Sequence, residues 1–337
     1  MEIFLDFLII FITHFQSPAL AFLIGGMLLS AFGSKLQIPT AIYQFAVFML
    51  LLRIGINGGM EIREANILEM LVPIIVTIIV GLLIVSVGTF ILTRLPGVKK
   101  EDGIATAGLF GAVSASTLAA AMSVLEYDKI TYEAWAPALY PFMDIPALVL
   151  AIVLANLYFA KSDEHEQSDT KISKIIKDSL RGSALSALLL GMGLGLFANT
   201  QGVFDSFYDP LFKGLLSILM LTMGMEAYSR LKEMKQVAHW FAIYAALAPI
   251  IHGLMAFGLG YIAHVTVGFS PGGVIMLSIL AASSSDVSGP PTLRAAIPSA
   301  NPSSYIGSST SVGTPIAIAV CIPLFITLAD WVFDVGL

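Results

Sequence analysis

The sequence predicts an all-α polytopic membrane protein whose ten transmembrane helices form a 5+5 inverted-topology repeat. Three observations predict it. Of 337 residues, 57% are apolar and 12% charged, against about 25% charged in an ordinary soluble domain, and the mean hydropathy is +0.88. Apolar stretches of about 20 residues, each long enough to cross a hydrocarbon core, recur along nearly the whole chain. The two halves, finally, repeat one another in order.

Ten spans follow, at 17–34, 38–57, 66–94, 103–125, 134–160, 180–198, 210–229, 237–265, 271–286 and 304–333. No basic residue precedes Lys35, and the leader carries Glu2 and Asp6, so a cleaved signal peptide is not expected. Alternate connections differ in charge: Lys35; Arg94, Lys99 and Lys100; Lys161, Lys171, Lys174, Lys177 and Arg181; Arg230, Lys232 and Lys235; and Arg294 hold thirteen of the 17 basic residues. Arg53, Arg63, Lys129 and Lys213 lie on the other side. Because basic residues are retained in the cytoplasm, both termini are expected outside a plasma membrane. The polar segment KSDEHEQSDTKISKIIKDS is then a cytoplasmic linker, 161–179, between a first five-helix repeat, 1–160, and a second, 180–337.

The repeat is carried by four collinear matches. PALAFLIGGML (Pro18 to Leu28) meets SALSALLLGMGL (Ser183 to Leu194), MLLLRIG (Met49 to Gly55) meets ILMLTMG (Ile218 to Gly224), LFGAVS (Leu109 to Ser114) meets LAASSS (Leu280 to Ser285), and DIPALVL (Asp144 to Leu150) meets GTPIAIA (Gly313 to Ala319). With five spans per half, the second copy must insert upside down, as in secondary transporters.

Function is excluded before it is assigned. The net charge of −6 and the lack of a Lys/Arg cluster leave nothing to neutralise a phosphate backbone. The single cysteine, Cys321, lies in an apolar run and allows neither a disulfide framework nor a thiolate metal site. No histidine neighbours a serine cluster in sequence, so an enzyme is not expected.

In inverted-repeat transporters the ligand meets helices interrupted near the bilayer midplane. GLFGAVSASTLAAA (Gly108 to Ala121) sets Ser114, Ser116 and Thr117 among small residues. SILAASSSDVSGPPTLRAAIPSANPSSYIGSSTSVGTP (Ser278 to Pro315) runs through Ser283, Ser284, Ser285, Asp286, Ser288, Gly289 and a Pro-Pro pair, which should stop the helix near Asp286. Close packing accounts for the Gly and Ala residues. Clustered hydroxyls at a helix end also offer donors to an oxyanion and acceptors to a bare cation. Two intramembrane acids stand out: Asp144, between Pro141 and Pro146, and Asp286. Each fits an oxygen cage for Na⁺, with an interhelical hydrogen bond as the alternative for Asp144 and helix capping for Asp286. Arg53 reads as snorkelling to the interface, His252 as a hydrogen-bonded packing residue, Asp209 as an N-cap before Pro210, and Glu226 as a residue near a cytoplasmic helix end. Arg294 reads either as a topology determinant or as an attractor of anions to an inward vestibule.

The strings SPALAFLIGGM, EAWAPALYPFMDIPALV, FYDPLFKGLLSILMLTMGMEA and SSSDVSGPPTLRAAIPSANPSSYIGSSTSVGTP resemble those of the sodium-dependent bicarbonate transporter family of cyanobacteria and other bacteria, from about Gln16 to Pro323. The resemblance implies a homotrimeric Na⁺/HCO₃⁻ symporter working by alternating access, with a scaffold of spans 1, 2, 6 and 7 and a core of spans 3–5 and 8–10. It also implies inhibition by a cytoplasmic PII-like regulatory protein. By this resemblance the family's serine-rich crossover corresponds to Ser114, Ser116 and Thr117 with Ser283 to Ser288, and its intramembrane acid to Asp144; the candidate bicarbonate site is then Ser114, Ala115, Ser116, Thr117, Ser283, Ser284, Ser285, Ser288 and Gly289, and the candidate Na⁺ site Asp144, Asp286, Gly111, Val113 and Thr314. Ala115 and Ala296 stand where the family pattern leads one to expect Gly, and the central linker is shorter than in the cyanobacterial members. Rival readings are a Na⁺-coupled symporter of another small anion and an anion channel.

Overall fold

The computed structural model describes residues 18–64, 67–159, 181, 183–233, 239–286 and 289–334, and among these it contains helices and no strand. Helix α1 (Pro18–Ala31) closes on Gly33, whose φ of +73° suits a residue without a Cβ, and the Ser34 amide reaches back to the Leu29 carbonyl at 3.0 Å. Helix α2 (Thr40–Glu64) starts after Pro39, and α3 (Ile67–Leu92) absorbs Pro73 in its first half. Helices α4 (Lys100–Gly111) and α5 (Ala115–Tyr127) follow, then a 3₁₀ turn at Ala136–Leu139 that runs into α6 (Tyr140–Phe159).

The second half opens with α7 (Ser183–Phe197). The chain is helical again from Gln201 through a widened turn at Phe204–Tyr208 into α8 (Asp209–Glu233). Helix α9 (His239–Val267) ends at Gly268, φ +74°, and α10 (Pro271–Ala282) begins two residues later with Ser270 as N-cap and proline at its first position. After α11 (Gly289–Ala296) comes α12 (Ser303–Phe333), in which i+5-bonded turns occupy Ser303–Gly307, Ser309–Gly313 and Ala317–Cys321.

Among the described residues six segments are long and apolar enough to cross a bilayer: Thr40–Arg63, Glu69–Leu92, Lys100–Tyr127, Ala136–Tyr158, His239–Val267 and Ser303–Phe333. Shorter apolar helices, Ala21–Ala31, Ser186–Phe197 and Pro271–Ala282, occupy three of the remaining expected spans, and α8 occupies the fourth. Burial sorts them into layers. Residues 102–125 are buried throughout, whereas α3 and α9 turn large apolar side chains outward, among them Leu71, Ile75, Leu83 and Phe90 on α3 and Leu247, Ile251 and Leu254 on α9. An apolar exterior around an interior that holds the serines is the arrangement lipid as solvent demands.

Glycines set the closest helix contacts. A Cβ on Gly55 or Gly59 of α2 would collide with the backbone of α7 at Leu188 and Met192, and one on Gly191 or Gly195 of α7 with the backbone of α2 at Leu52 and Ile56. Both helices carry Gly-x-x-x-Gly, so two smooth stripes meet and the backbones touch. Helices α1 and α8 do the same through Gly26 against Leu221 and Gly224 against Leu23. Helix α3 packs on α4 and α6, while α9 packs on α10 and on α3. The two interrupted helices lie between these layers, α4 against α11 and α5 against α10.

Two expectations change here. Helix α10 stops at Ala282, four residues before Asp286, because Ser283 turns extended (φ −78°, ψ 171°) to meet the other interrupted helix; Pro290 and Pro291 lie in the first turn of α11 instead of ending α10. Asp209 caps no helix start, since the chain is already helical from Gln201. The linker 161–179 and the extreme termini lie outside the described residues.

Candidate functional site

The interruptions fall at equivalent places, 171 residues apart. Helix α4 ends at Gly111 and Ala112 turns extended (φ −91°, ψ 159°); α10 ends at Ala282 and Ser283 does likewise. Each new helix is capped by a serine from the break: the Ser114 hydroxyl accepts from the Thr117 amide at 3.0 Å, and the Ser285 hydroxyl from the Gly289 amide at 2.8 Å. These breaks free backbone groups that a bilayer cannot solvate, and the two segments satisfy each other. The Ser285 amide donates to the Leu109 carbonyl at 2.9 Å. In the reciprocal position the Ser283 hydroxyl is inserted as a relay, accepting from the Ser114 amide at 3.0 Å and donating to the Leu280 carbonyl at 2.7 Å.

Both intramembrane acids converge on the first break. Asp144 of α6, fully buried, accepts from the Val113 amide at 3.0 Å. Asp286 accepts from the Ala115 amide at 3.2 Å and from the Ser116 hydroxyl. With Asp286 ionised, Ser116 spends its only hydrogen on the carboxylate, so in the 2.9 Å contact between the two hydroxyls Ser114 is the donor. A directed chain thus runs from the Thr117 amide through Ser114 and Ser116 to Asp286. The carboxylate sits on the positive end of the α5 dipole, where negative charge is favoured.

Among the described residues, buried hydroxyls without a protein partner include Thr117 Oγ1 at the start of α5 and, on the α12 turn whose Ser309 and Gly313 meet Ser284, Ser311 Oγ and Thr314 Oγ1. A buried unsatisfied hydroxyl costs roughly 1–3 kcal/mol, so three beside interrupted helices point to a ligand. Ser284 shares a hydrogen bond of 2.7 Å with Ser309 of α12, Gly313 lies where a Cβ would meet the Phe110 ring, and Gly111 where one would meet Val85. Among the described residues no three His, Cys, Asp or Glu side chains gather around a common point. The donors on offer are hard oxygens, which suit an alkali cation.

The structure therefore brings Ser114, Ala115, Ser116, Thr117, Val113, Asp144, Ser283, Ser285, Asp286 and Gly289 into one hydrogen-bonded crossing. Ser284 of the second break meets Ser309 and Gly313 of α12, Thr314 follows Gly313 on that helix, Gly111 packs closely against Val85, and Ser288 lies outside the described residues. Ser309 and Ser311 escaped sequence reasoning, although the run SSYIGSSTSVGTP is as rich in hydroxyls as the break itself.

Two outlying expectations are corrected. Arg53 does not snorkel: it is 6% exposed, pairs with Glu126 at 3.2 Å and with Asp209, and lies 4.2 Å from the Phe212 ring centroid. Partners at the ends of α5 and α8 make an inward route cheaper than one to the interface. His252 is buried, but its Nδ1 has no partner, so it packs without the expected hydrogen bond there.

Two interrupted helices, mutually satisfied across a buried polar crossing inside a bundle with an apolar exterior, define a membrane transport protein of the broken-helix type. The chain belongs to the Na⁺-dependent bicarbonate transporter superfamily, whose family profile matches residues 18–330. No individual curated protein matches it.

Proposed function

We propose that this protein is a Na⁺/HCO₃⁻ symporter of the plasma membrane that takes up bicarbonate by alternating access. One observation carries the reading: the Asp286 carboxylate accepts from the amide of Ala115 and the hydroxyl of Ser116 at the N-terminus of α5, the position best suited to an incoming oxyanion. Na⁺ arriving near Asp286, Asp144 and the Thr314 hydroxyl draws the carboxylate to itself and releases those donors. Bicarbonate then binds the freed Ala115 amide and the hydroxyls of Ser114, Ser116 and Thr117, faced by Ser283, Ser284, Ser285, Ser288 and Gly289. Neither ligand binds well alone, because without Na⁺ the anion competes with a tethered carboxylate.

Charge balance favours the pairing. Bringing an anion into an inside-negative cell costs about 2.3 kcal/mol per charge per 100 mV, and one Na⁺ cancels it. The equivalent breaks 171 residues apart support a duplication, read as ten spans in a 5+5 inverted repeat; the repeat bounds 1–160 and 180–337 and the outside placement of both termini rest on the span count and the distribution of basic residues. The glycine-locked α1, α2, α7 and α8 fit the scaffold and the interrupted helices the moving core. The homotrimer and the PII-like regulatory partner rest on the family resemblance alone.

Labelled bicarbonate uptake into proteoliposomes tests the reading, with the potential clamped first at zero and then inside-negative. Symport requires uptake that depends on a Na⁺ gradient. Uptake that follows voltage and survives removal of Na⁺ would establish a channel, and competition by acetate, sulfate or nitrate at equal concentration would establish another anion as substrate.

A further inference from the structure

A second polar feature lies away from the crossing, where α3 ends and α4 begins. A cleft of about 520 Å³ opens there between α3, α4 and α6, lined by Thr89, Arg94, Lys100, Leu154, Leu157 and Tyr158 among others, with no carboxylate in its wall. Aromatic rings position its two cations: the Arg94 guanidinium lies 3.6 Å from the Phe90 ring centroid, and the Lys100 ammonium 4.9 Å from that of Tyr158. Neither cation has a carboxylate partner among the described residues. Asp102, the obvious candidate, is turned away to the Asn301 amide at 2.6 Å. The Thr89 hydroxyl oxygen is buried and unpartnered, and the amides of the first turn of α4 have no side-chain cap from Lys99.

We infer that this cleft binds the headgroup of an anionic membrane phospholipid. The donors that recognise a phosphodiester are the two cations, Arg94 and Lys100, in a wall without a carboxylate. The walls select the lipid over a dissolved anion. Leu154 and Leu157 line the cleft, Leu157 is 56% exposed, and outward-facing Phe90, Val87 and Leu83 continue along α3 as an apolar track for an acyl chain. Basic pockets at the membrane surface between spanning helices have the chemistry for this headgroup class. The site shares no residue with the proposed ion pathway, so it stands or falls independently of the transported substrate.

Native mass spectrometry of the detergent-purified protein tests it, using phosphatidylglycerol against phosphatidylcholine with identical chains. Two cations predict about thirtyfold preference for phosphatidylglycerol. R94Q/K100Q should remove the preference, and R94K/K100R should keep it. Equal binding of the two lipids, an unchanged preference in R94Q/K100Q, or displacement of phosphatidylglycerol by an equal concentration of inorganic phosphate would each overturn the proposal. The last result would make the cleft a free-anion site. Should R94Q/K100Q fail to fold, a photoactivatable phosphatidylglycerol on the wild-type protein decides: crosslinks at 89–100 and 154–158 support the site, and crosslinks confined elsewhere overturn it.

Discussion

Thr314 separates ligand binding from folding better than any other residue. Its buried hydroxyl has no partner in the protein, so Thr314→Val removes no internal hydrogen bond and, by relieving an unsatisfied group, should raise stability in the absence of Na⁺ by roughly 1–3 kcal/mol. If the oxygen is a Na⁺ ligand, the half-saturating Na⁺ concentration for uptake should nonetheless rise about tenfold, one ligand's worth of roughly 1.4 kcal/mol. Thermal unfolding and initial uptake rates measured on the same preparation check both. Asp286→Asn probes the exchange of partners. Asparagine caps helices as well as aspartate, so α5 should remain folded, while the lost charge should abolish Na⁺-dependent uptake and any rise in melting temperature on adding Na⁺. Asp144→Asn is expected to abolish uptake as well. Unchanged uptake in both acid variants would remove the oxygen cage from the mechanism.

Helix contacts make stronger demands than helix composition. Gly55→Leu inserts a side chain where the α7 backbone already lies and should destabilise the protein by at least about 3 kcal/mol, read as loss of a monodisperse peak in size-exclusion chromatography. Arg53→Ala leaves Glu126 and Asp209 without their shared cation; since the two carboxylates are about a third and a half exposed, the expected cost is about 1–3 kcal/mol, seen in thermal unfolding. Both effects bear on what the sequence made legible. The long apolar spans and both breaks are legible in hydropathy and punctuation, whereas the glycine contacts of α1, α2, α7 and α8 are not, because only the fold shows which small residues meet. Nor is the exact end of α10, because Ser283 leaves the helix for a partner 169 residues away, and no local pattern encodes that contact. The inward pairing of Arg53 is hidden for the same reason: its partners sit 73 and 156 residues along the chain. At the site, the acids and serines were visible as polar exceptions in apolar runs. Their connections, Asp144 to Val113 and Asp286 to Ala115, exist only in the fold.

At the scale of the molecule, orientation is open to direct test because the one cysteine, Cys321, is buried. In a Cys321→Ala background, Gly97→Cys should react with a membrane-impermeant maleimide only after the cytoplasmic face is exposed, and Lys129→Cys should react in intact cells. The opposite pattern would invert the topology. The reciprocal bonds at the crossing reach further than transport. Leu109 and Ser114 depend on Ser285 and Ser283, Asp102 is held by Asn301, and Glu133 receives the Ser270 amide at 2.7 Å. Each half therefore supplies the groups that finish the other's interrupted helix. During synthesis the first broken helix enters the bilayer with these backbone groups unmet, and it stays so until the ribosome has delivered Ser283 and Ser285. Insertion and folding of that helix are thus separated in time by the synthesis of about half the chain, and a nascent chain stopped at residue 160 is inserted but unfinished.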